Sequence, residues 1–450
     1  MSSLSVFETM LEITKPPCPA SEHLQHRIDY SKHHLSPCSA PNKEIPHDVP
    51  VLIVGGGPTG LLTAYMLSRH GVRSLLVEKY SERLPAPKAH ALCPRTLEIC
   101  RQYGLETNAI RRMGSPRRDA CRVNFLMNLG VEAIGSLPYE RMDVGVLEHT
   151  PQNKERAYAT VSTAIGENIL IKILSGLSLN SGIANAHNLA YKIAAIHWGR
   201  TGPGLLGTYK PERRQVAVVA AAQNIKNGKS VFSFLKAVGA GGQGEDLVGA
   251  RRQMYKTIRN PARQALIAEN VKRQREHFDN IELHIGYVYG DEKPPTSTST
   301  YTPKFRNGAR LPHAWIKIQR PCHGLPQQPI DLSYIKELSN EQVAAQQFST
   351  LDLVRPGTFN LIAGHRSAWA RRFKESAEVL GYGISLCLWA ADKDFVFCSK
   401  GHRRLYKQDG HLSRGAAIIV RPDQHILKCL GPETSVTEIV DCVKRYLDVK

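Results

Sequence analysis

The order of apolar and polar positions changes character several times along the chain. Residues 1–48 are polar, rich in Pro and His, and without a period, which predicts a loosely packed N-terminal extension. "VPVLIVGGG" (Val49–Gly57) is a short β-branched run ending in glycines, the pattern of a buried strand. Leu61, Ala64 and Leu67 follow at helical spacing, Gly71 stops that helix, and "VRSLLVEK" (Val72–Lys79) supplies a second buried strand. Strand, helix and strand in this order predict a βαβ unit with a parallel sheet. Residues 95–105 read as another helix, and from 116 to 165 the pattern weakens. Between Ser181 and His197, Ile183, Ala186, Ala190, Ile193 and Ala194 fall on one face, which predicts an amphipathic helix. Residues 245–279 read as helical and charged.

"DEKPPTSTSTYTP" (Asp291–Pro303) has the composition of a linker. Beyond it "TFNLIAG" is strand-like, "SAWARRFKESAEVLG" helical and "GISLCLWA" strand-like. "AAIIVRPDQHILKCL" predicts a hairpin with Pro422 and Asp423 in its turn. "SVTEIVDCVKRYL" closes the chain as a helix with Val436, Ile439, Val440 and Val443 on one face. This order predicts a compact C-terminal α/β domain. The expected organisation is therefore an extension over 1–48, a first domain over 49–290, a linker over 291–303 and a second domain over 304–450.

One motif carries chemistry. Gly55, Gly57 and Gly60 form G-x-G-x-x-G between the predicted strand and helix, with Pro58 and Thr59 opening the helix. Gly55 permits the tight turn, Gly57 lets backbone N–H groups approach a pyrophosphate, and Gly60 allows the helix to pack on the sheet. The helix N-terminus favours the negative charge. Glu78 ends the second strand, placed to accept hydrogen bonds from ribose hydroxyls, with Lys79 beside it. An acid there repels a 2′-phosphate, so FAD or NAD fits this turn better than NADP.

Composition narrows the class. The chain has 450 residues, 42% hydrophobic and 22% charged, as in soluble globular proteins. No apolar run reaches the roughly 18 residues of a membrane span, and the N-terminus lacks the basic and apolar regions of a secretory signal. The ten cysteines are scattered and form no C-x-x-C, which argues against zinc or dithiol chemistry and predicts free thiols in a cytoplasmic protein. The formal charge of +19 raises the question of nucleic acid. The basic residues are spread, however, with no long block and no interleaved aromatics, so attraction of anionic cofactors is the better use of that field.

With "PKAHALCPRTLEICRQYGL" (Pro87–Leu105) the pattern becomes specific. The chain resembles the class A FAD-dependent aromatic monooxygenases, especially the phenol hydroxylase and chlorophenol hydroxylase branch. The resemblance implies a Rossmann-like FAD-binding domain followed by a thioredoxin-like C-terminal domain serving structure and association, with a homodimer as one outcome. It also implies Lys88, with Arg95 as a second candidate, near the FAD phosphates. "GLSLNSGIANAHNLAYKIAAI" (Gly176–Ile196) resembles the family's last flavin motif. Ser178 stands where the family has glycine, Asn185 where it has aspartate and Tyr191 where it has tryptophan. The resemblance implies that backbone amides near Asn180 and Ser181 meet the flavin's pyrimidine edge, where a helix N-terminus stabilises negative charge. "LLGTYKPERRQVA", "HIGYVYG" and "RNGARLPHAWI" resemble later landmarks.

Between the two flavin motifs, family members carry a long segment with a substrate-covering sheet and a Gly-Asp motif that contacts FAD. Neither is legible here, and the interval is too short for a segment of about 100 residues. Two readings follow from the resemblance. One is an FAD-dependent monooxygenase that hydroxylates a small phenolic substrate with NAD(P)H and O2. The other is a catalytically impaired remnant of that family. No residue is assigned a catalytic role. Tyr158, His187 and Tyr209 read as packed residues, and Glu212–Arg214 as a solvated or interdomain charge cluster.

Overall fold

The computed structural model describes residues 48–79, 92–114, 122–127, 133–138, 178–240, 246–291, 295–320 and 325–449, the last range with interruptions at 327, 336–337, 382, 392, 408–411 and 413–414. The N-terminal extension to residue 47, Lys88, Tyr158 and the interval 139–177 lie outside the described residues.

Strands β1 (Val51–Val54) and β2 (Ser74–Val77) pair in parallel, Val51 opposite Ser74 and Val54 opposite Val77. They are joined by α1 (Pro58–Arg69), whose first residue is the proline that helices tolerate at N1. The helix buries Leu62, Ala64, Met66 and Leu67, a stripe wider than Leu61, Ala64 and Leu67 predict. Gly71, at φ +74°, turns the chain into β2. The short helices α2 (Pro94–Gln102) and α3 (Thr107–Met113) follow. A hairpin comes next, of β3 (Arg122–Leu126) and β4 (Ala133–Pro138). Helix α4 (Ser178–His197) lies along α1, and its Ile183, Ala186, Ala190 and Ala194 are buried as the spacing predicts.

The sequence did not reveal α5 (Tyr209–Ala237), 29 residues long. Its buried face includes Arg213, Gln223 and Asn227, so no apolar stripe marks it. Helices α6 (Leu247–Arg259) and α7 (Pro261–Arg273) fill the region expected to be helical. With α5 they enclose a small core in which Leu137 of β4 meets Phe234, Val238, Ile258, Ile267 and Val271.

The C-terminal unit is built on a four-stranded sheet in the order β11-β10-β7-β8. Strands β5 (Trp315–Ile318), β6 (Phe348–Ser349) and β9 (Phe395–Phe397) form a separate antiparallel sheet beside it. β7 (Phe359–Ala363) runs parallel to β8 (Leu386–Ala390) through α8 (Arg366–Leu380), and α9 (Lys400–Lys407) leads onward. β10 (Ala417–Val420) is antiparallel to β7 and pairs with β11 (Ile426–Leu430) as the predicted hairpin. α10 (Val436–Leu447) then packs on the sheet through Ile439, Val440, Val443 and Leu447. This βαβ plus ββα order is thioredoxin-like.

That unit does not stand apart from the first. Trp315 of β5 shares one core with Leu67 of α1, Leu97 of α2 and Ile183 of α4, so the core crosses the boundary expected after residue 303. Within the expected linker, Thr298 and Ser299 are buried, and the Thr298 carbonyl accepts from the Glu282 amide. Most telling is α2, buried along its length although it carries Arg95, Glu98 and Arg101. Glu98 lies between Arg95 (3.1 Å) and Arg310 (2.9 Å). Arg101 grips Asp352 with two hydrogen bonds of 2.8 and 3.2 Å. Arg95 was a candidate for the FAD phosphates. It instead donates to the Gln424 side chain (2.6 Å) and the Asp423 carbonyl (2.8 Å) in the tip of the β10–β11 hairpin.

Two buried imidazoles in the C-terminal unit, His402 and His425, have their pKa lowered by burial to about 4. The unfolded chain, with an ordinary histidine pKa of about 6.5, takes up these protons first as pH falls. Stability is therefore complete above about pH 6.5 and declines towards pH 4, by up to about 1.4 kcal/mol per pH unit for each imidazole. Urea unfolding from pH 7.5 to 4.5 should show this decline, and a flat profile would contradict it.

Candidate functional site

The glycine turn has the geometry its motif requires. Gly55 adopts φ +109°, a region disfavoured for side-chain-bearing residues, and its amide donates to the Val77 carbonyl at 2.7 Å. A Cβ on Gly60 would lie 2.0 Å from the Gly55 carbonyl oxygen, so only glycine lets α1 start this close to the strand. A Cβ on Gly57 would meet nothing within 4 Å, which leaves that side of the turn open. Gly57 is the N-cap of α1 and, having no side chain, makes no side-chain cap hydrogen bond to the first amides of the helix. Glu78 reaches back from the end of β2 to accept the Gly56 N–H at 2.5 Å. Lys79 beside it is exposed.

The second motif arrives at the same place. A Cβ on Gly182 would lie 2.7 Å from Thr59 Oγ1 and 3.3 Å from Thr59 Cγ2, so the first turn of α4 touches the first turn of α1. Asn180 is held one step further along, its side-chain oxygen accepting from the Cys93 amide and the Thr96 hydroxyl, both at 2.8 Å. Asn180 and Ser181 also form one wall of a cavity of about 190 Å³. The other walls come from the start of α2 (Cys93, Arg95), the first turns of α5 (Arg213 to Ala220), the stretch Glu282–Val288 and Lys304.

Three titratable groups of that cavity are shifted. Burial holds the His284 pKa down to about 4, so its imidazole is neutral at physiological pH. Burial raises the Glu282 carboxyl above its usual range against the opposing ion pair with Lys304. Burial alone would lower Arg213, but the Tyr287 and Tyr289 phenols outweigh it and raise its pKa. Sequence reading missed Arg213, which it grouped with Glu212 and Arg214. Glu212 belongs elsewhere, in a buried interdomain cluster with Lys192 (2.8 Å) and Arg421 (2.7 Å). His187 packs there too, its Nε2 2.6 Å from the Gln102 side chain. Arg213 could have been found through Asn185, the residue that departs from the family's aspartate, because Asn185 Oδ1 accepts from Arg213 Nε at 2.7 Å.

The comparison with known proteins bears on this pairing of glycine turn and second helix. A family described as "FAD binding domain" matches residues 48–152 and 172–224, the two stretches that meet at Thr59 and Gly182. These two stretches of the chain are similar to that FAD-binding domain. Over 59 residues the chain is 48% identical to a 2,4-dichlorophenol 6-monooxygenase of Cupriavidus pinatubonensis (strain JMP 134 / LMG 1197), covering 13% of this chain and 10% of that protein. Over 287 residues it is 23% identical to a phenol 2-monooxygenase of Pseudomonas sp. (strain EST1001), covering 59% of this chain and 42% of the relative. The chain thus spans less than half the length of these curated relatives. The solved structure of the flavin-dependent monooxygenase PieE in complex with FAD and substrate has a similar fold, with a TM-score of 0.66, 16% identity, and coverage of 90% of this chain and 100% of that one. Among the described residues, no helix of this chain is long and apolar enough to cross a membrane.

The contact between Thr59 and Gly182 is testable by itself. Glycine to alanine inside a helix usually stabilises by about 1 kcal/mol. Gly182→Ala should instead destabilise the protein by about 1–3 kcal/mol through overpacking. Thr59 Oγ1 must move to admit the methyl, and the branched side chain still keeps a γ atom close to it. Adding Thr59→Ala should restore most of the loss in a double-mutant cycle measured by urea unfolding. A stabilising Gly182→Ala would show that the two motifs do not meet.

Proposed function

We propose that the chain binds FAD along a groove from the Gly55–Gly60 turn to Asn180 and Ser181, and hydroxylates a small aromatic ring in the adjoining cavity with NAD(P)H and O2. The observation that carries this reading is continuity. The first turn of α4 touches the glycine turn through Gly182 and also walls the cavity through Asn180 and Ser181.

The residues present suit that cofactor. The Thr59 and Gly60 amides, at the start of α1, receive the pyrophosphate. Glu78 exchanges the Gly56 N–H for a ribose hydroxyl, and the exposed Lys79 adds positive charge nearby. The amides at Asn180 and Ser181 face the pyrimidine edge, held in register because the Asn180 side chain is tied to α2. The chemistry a bound flavin would supply is hydride acceptance from NAD(P)H and activation of O2, one oxygen atom entering the ring and the other leaving as water. The protein's part is to orient the ring at the cavity and keep water from it.

A second reading, the catalytically impaired remnant, has its own supporting observation. Strands of a parallel sheet are normally covered on both faces. Here Leu52 and Val54 of β1 are 57% and 80% exposed. Contacts to the middle of FAD that a Gly-Asp motif supplies would also be missing. Each lost charge-assisted hydrogen bond costs about 1.5–3 kcal/mol, roughly a 10- to 100-fold loss of affinity.

Titration of the purified chain with FAD, followed by NADPH oxidation and product analysis with one-ring phenols, tests the reading. The expected result is saturable binding and a hydroxylated product. Gly57→Ala should weaken FAD at least tenfold while changing stability by less than about 1 kcal/mol, because its methyl meets solvent and not protein. Flavin binding with no hydroxylated product would favour the remnant. Equal FAD affinity of the chain and Gly57→Ala would remove the glycine turn from the site.

A further inference from the structure

Helix α5 is built inside out. Its buried face carries Arg213, Gln223 and Asn227, with Gln223 Nε2 donating to Asn227 Oδ1 at 2.8 Å. Its outward face carries Val218, Ile225 and Phe232, which are 47%, 62% and 74% exposed. Their seven-residue spacing is two helical turns, so the three lie in one row. A helix that ends its packing at water has the opposite arrangement, apolar inward and polar outward. Exposed apolar side chains grouped among polar ones mark a contact surface.

Charge along that face has a single sign. Between Glu212 and Glu245 the sequence contains no Asp or Glu. Arg214 stands four residues before Val218, Lys229 four after Ile225 and Lys236 four after Phe232, so the cations share the side of the apolar row. All three are exposed and form no ion pair among the described residues. Lys226, on the flank, is already paired with Glu276. From Arg214 to Lys236 the row extends about 33 Å at 1.5 Å per residue.

The pattern selects its occupant. Apolar side chains interleaved with unpaired cations suit the boundary of an anionic bilayer, where the apolar groups enter and the long basic stems reach the phosphates. A second copy suits it poorly. It would set cations against a face of the same sign. A strip of about 33 by 10 Å also falls well short of the roughly 800 Å² per partner that stable association buries. The whole chain's charge of +19 repels another copy and draws the protein to an anionic surface.

We infer that the outward face of α5 docks the chain on an anionic phospholipid surface. Val218, Ile225 and Phe232 enter the headgroup boundary, and Arg214, Lys229 and Lys236 meet lipid phosphates. The helix lies along the surface and does not cross it. None of these six residues lines the cavity, so the inference does not rest on the flavin reading.

The test is co-sedimentation of the full chain with vesicles of phosphatidylcholine alone and of phosphatidylcholine containing about 30% phosphatidylserine, at about 0.1 M and about 0.5 M salt. The anionic vesicles should bind at least tenfold more tightly than the neutral ones, and most of that binding should be lost at the higher salt. Ile225→Gln with Phe232→Gln should weaken it at least tenfold, and so should Lys229→Gln with Lys236→Gln. The lysine pair keeps the test decisive should the apolar pair disturb folding, which circular dichroism would show. The same charge removed from exposed positions of α8, in Arg371→Gln with Lys374→Gln, should change binding less than threefold. Equal binding to the two vesicle types, binding to neither, or anionic binding that both α5 variants retain would each overturn the inference. A concentration-dependent dimer abolished by the apolar pair would give the face to a second copy and overturn it as well.

Discussion

Buried charge without a counter-charge is among the most costly arrangements a protein can hold, and that constraint organises this molecule. Glu98 stands between Arg95 and Arg310, Asp352 takes Arg101, and Arg421 lies between Glu212 and Asp423. Each of these groups joins the glycine-turn half to the C-terminal unit. Removing one member of such a pair typically costs about 3–5 kcal/mol, because its partner is left buried and unpaired. Helix α2 therefore cannot be buried unless β5, the Thr350 region and the β10–β11 hairpin are seated against it. The hairpin tip accepts its own strain for this contact: Gln424 holds a left-handed φ of +64° while its side chain receives Arg95.

The candidate site is a consequence of this seating. Cys93 and Arg95 at the head of α2 form part of the cavity wall, and Asn180 at the head of α4 is tied to α2 through Cys93 and Thr96. The same α4 meets the glycine turn through Gly182. The dinucleotide turn, the second helix and the cavity thus share one rigid junction, although their residues come from stretches more than a hundred positions apart. The C-terminal unit lacks a redox pair of cysteines and acts here as the buttress of that junction.

What the sequence disclosed and what it hid follow from range. Elements with a clean period were legible: β1, α1 and β2, the apolar face of α4, the β7–α8–β8 unit, the β10–β11 hairpin and α10. The glycine turn was legible because its spacing is a short local motif, although Gly55 and Gly56 bond to Val77 and Glu78 at the end of β2. Helix α5 was hidden because polar residues occupy its buried face. The partners of the charged residues of α2 were hidden, since Arg310, Asp352 and Gln424 lie more than two hundred residues downstream and no local pattern announces them. Arg213 was hidden inside the charge cluster Glu212–Arg214, because its hydrogen-bond partner Asn185 lies on another helix.

The central claim is that the glycine-turn half and the C-terminal unit are one cooperative body locked by buried ion pairs. Native-state hydrogen exchange tests it most directly, by comparing the opening free energies of amides in α2, in α4 and in β7, β10 and β11. The account predicts a common value for the most protected amides of all five elements, and a common fall in Glu98→Gln. Strong protection of β7, β10 and β11 with α2 exchanging through a separate, lower-energy opening, unaltered by Glu98→Gln, would contradict it.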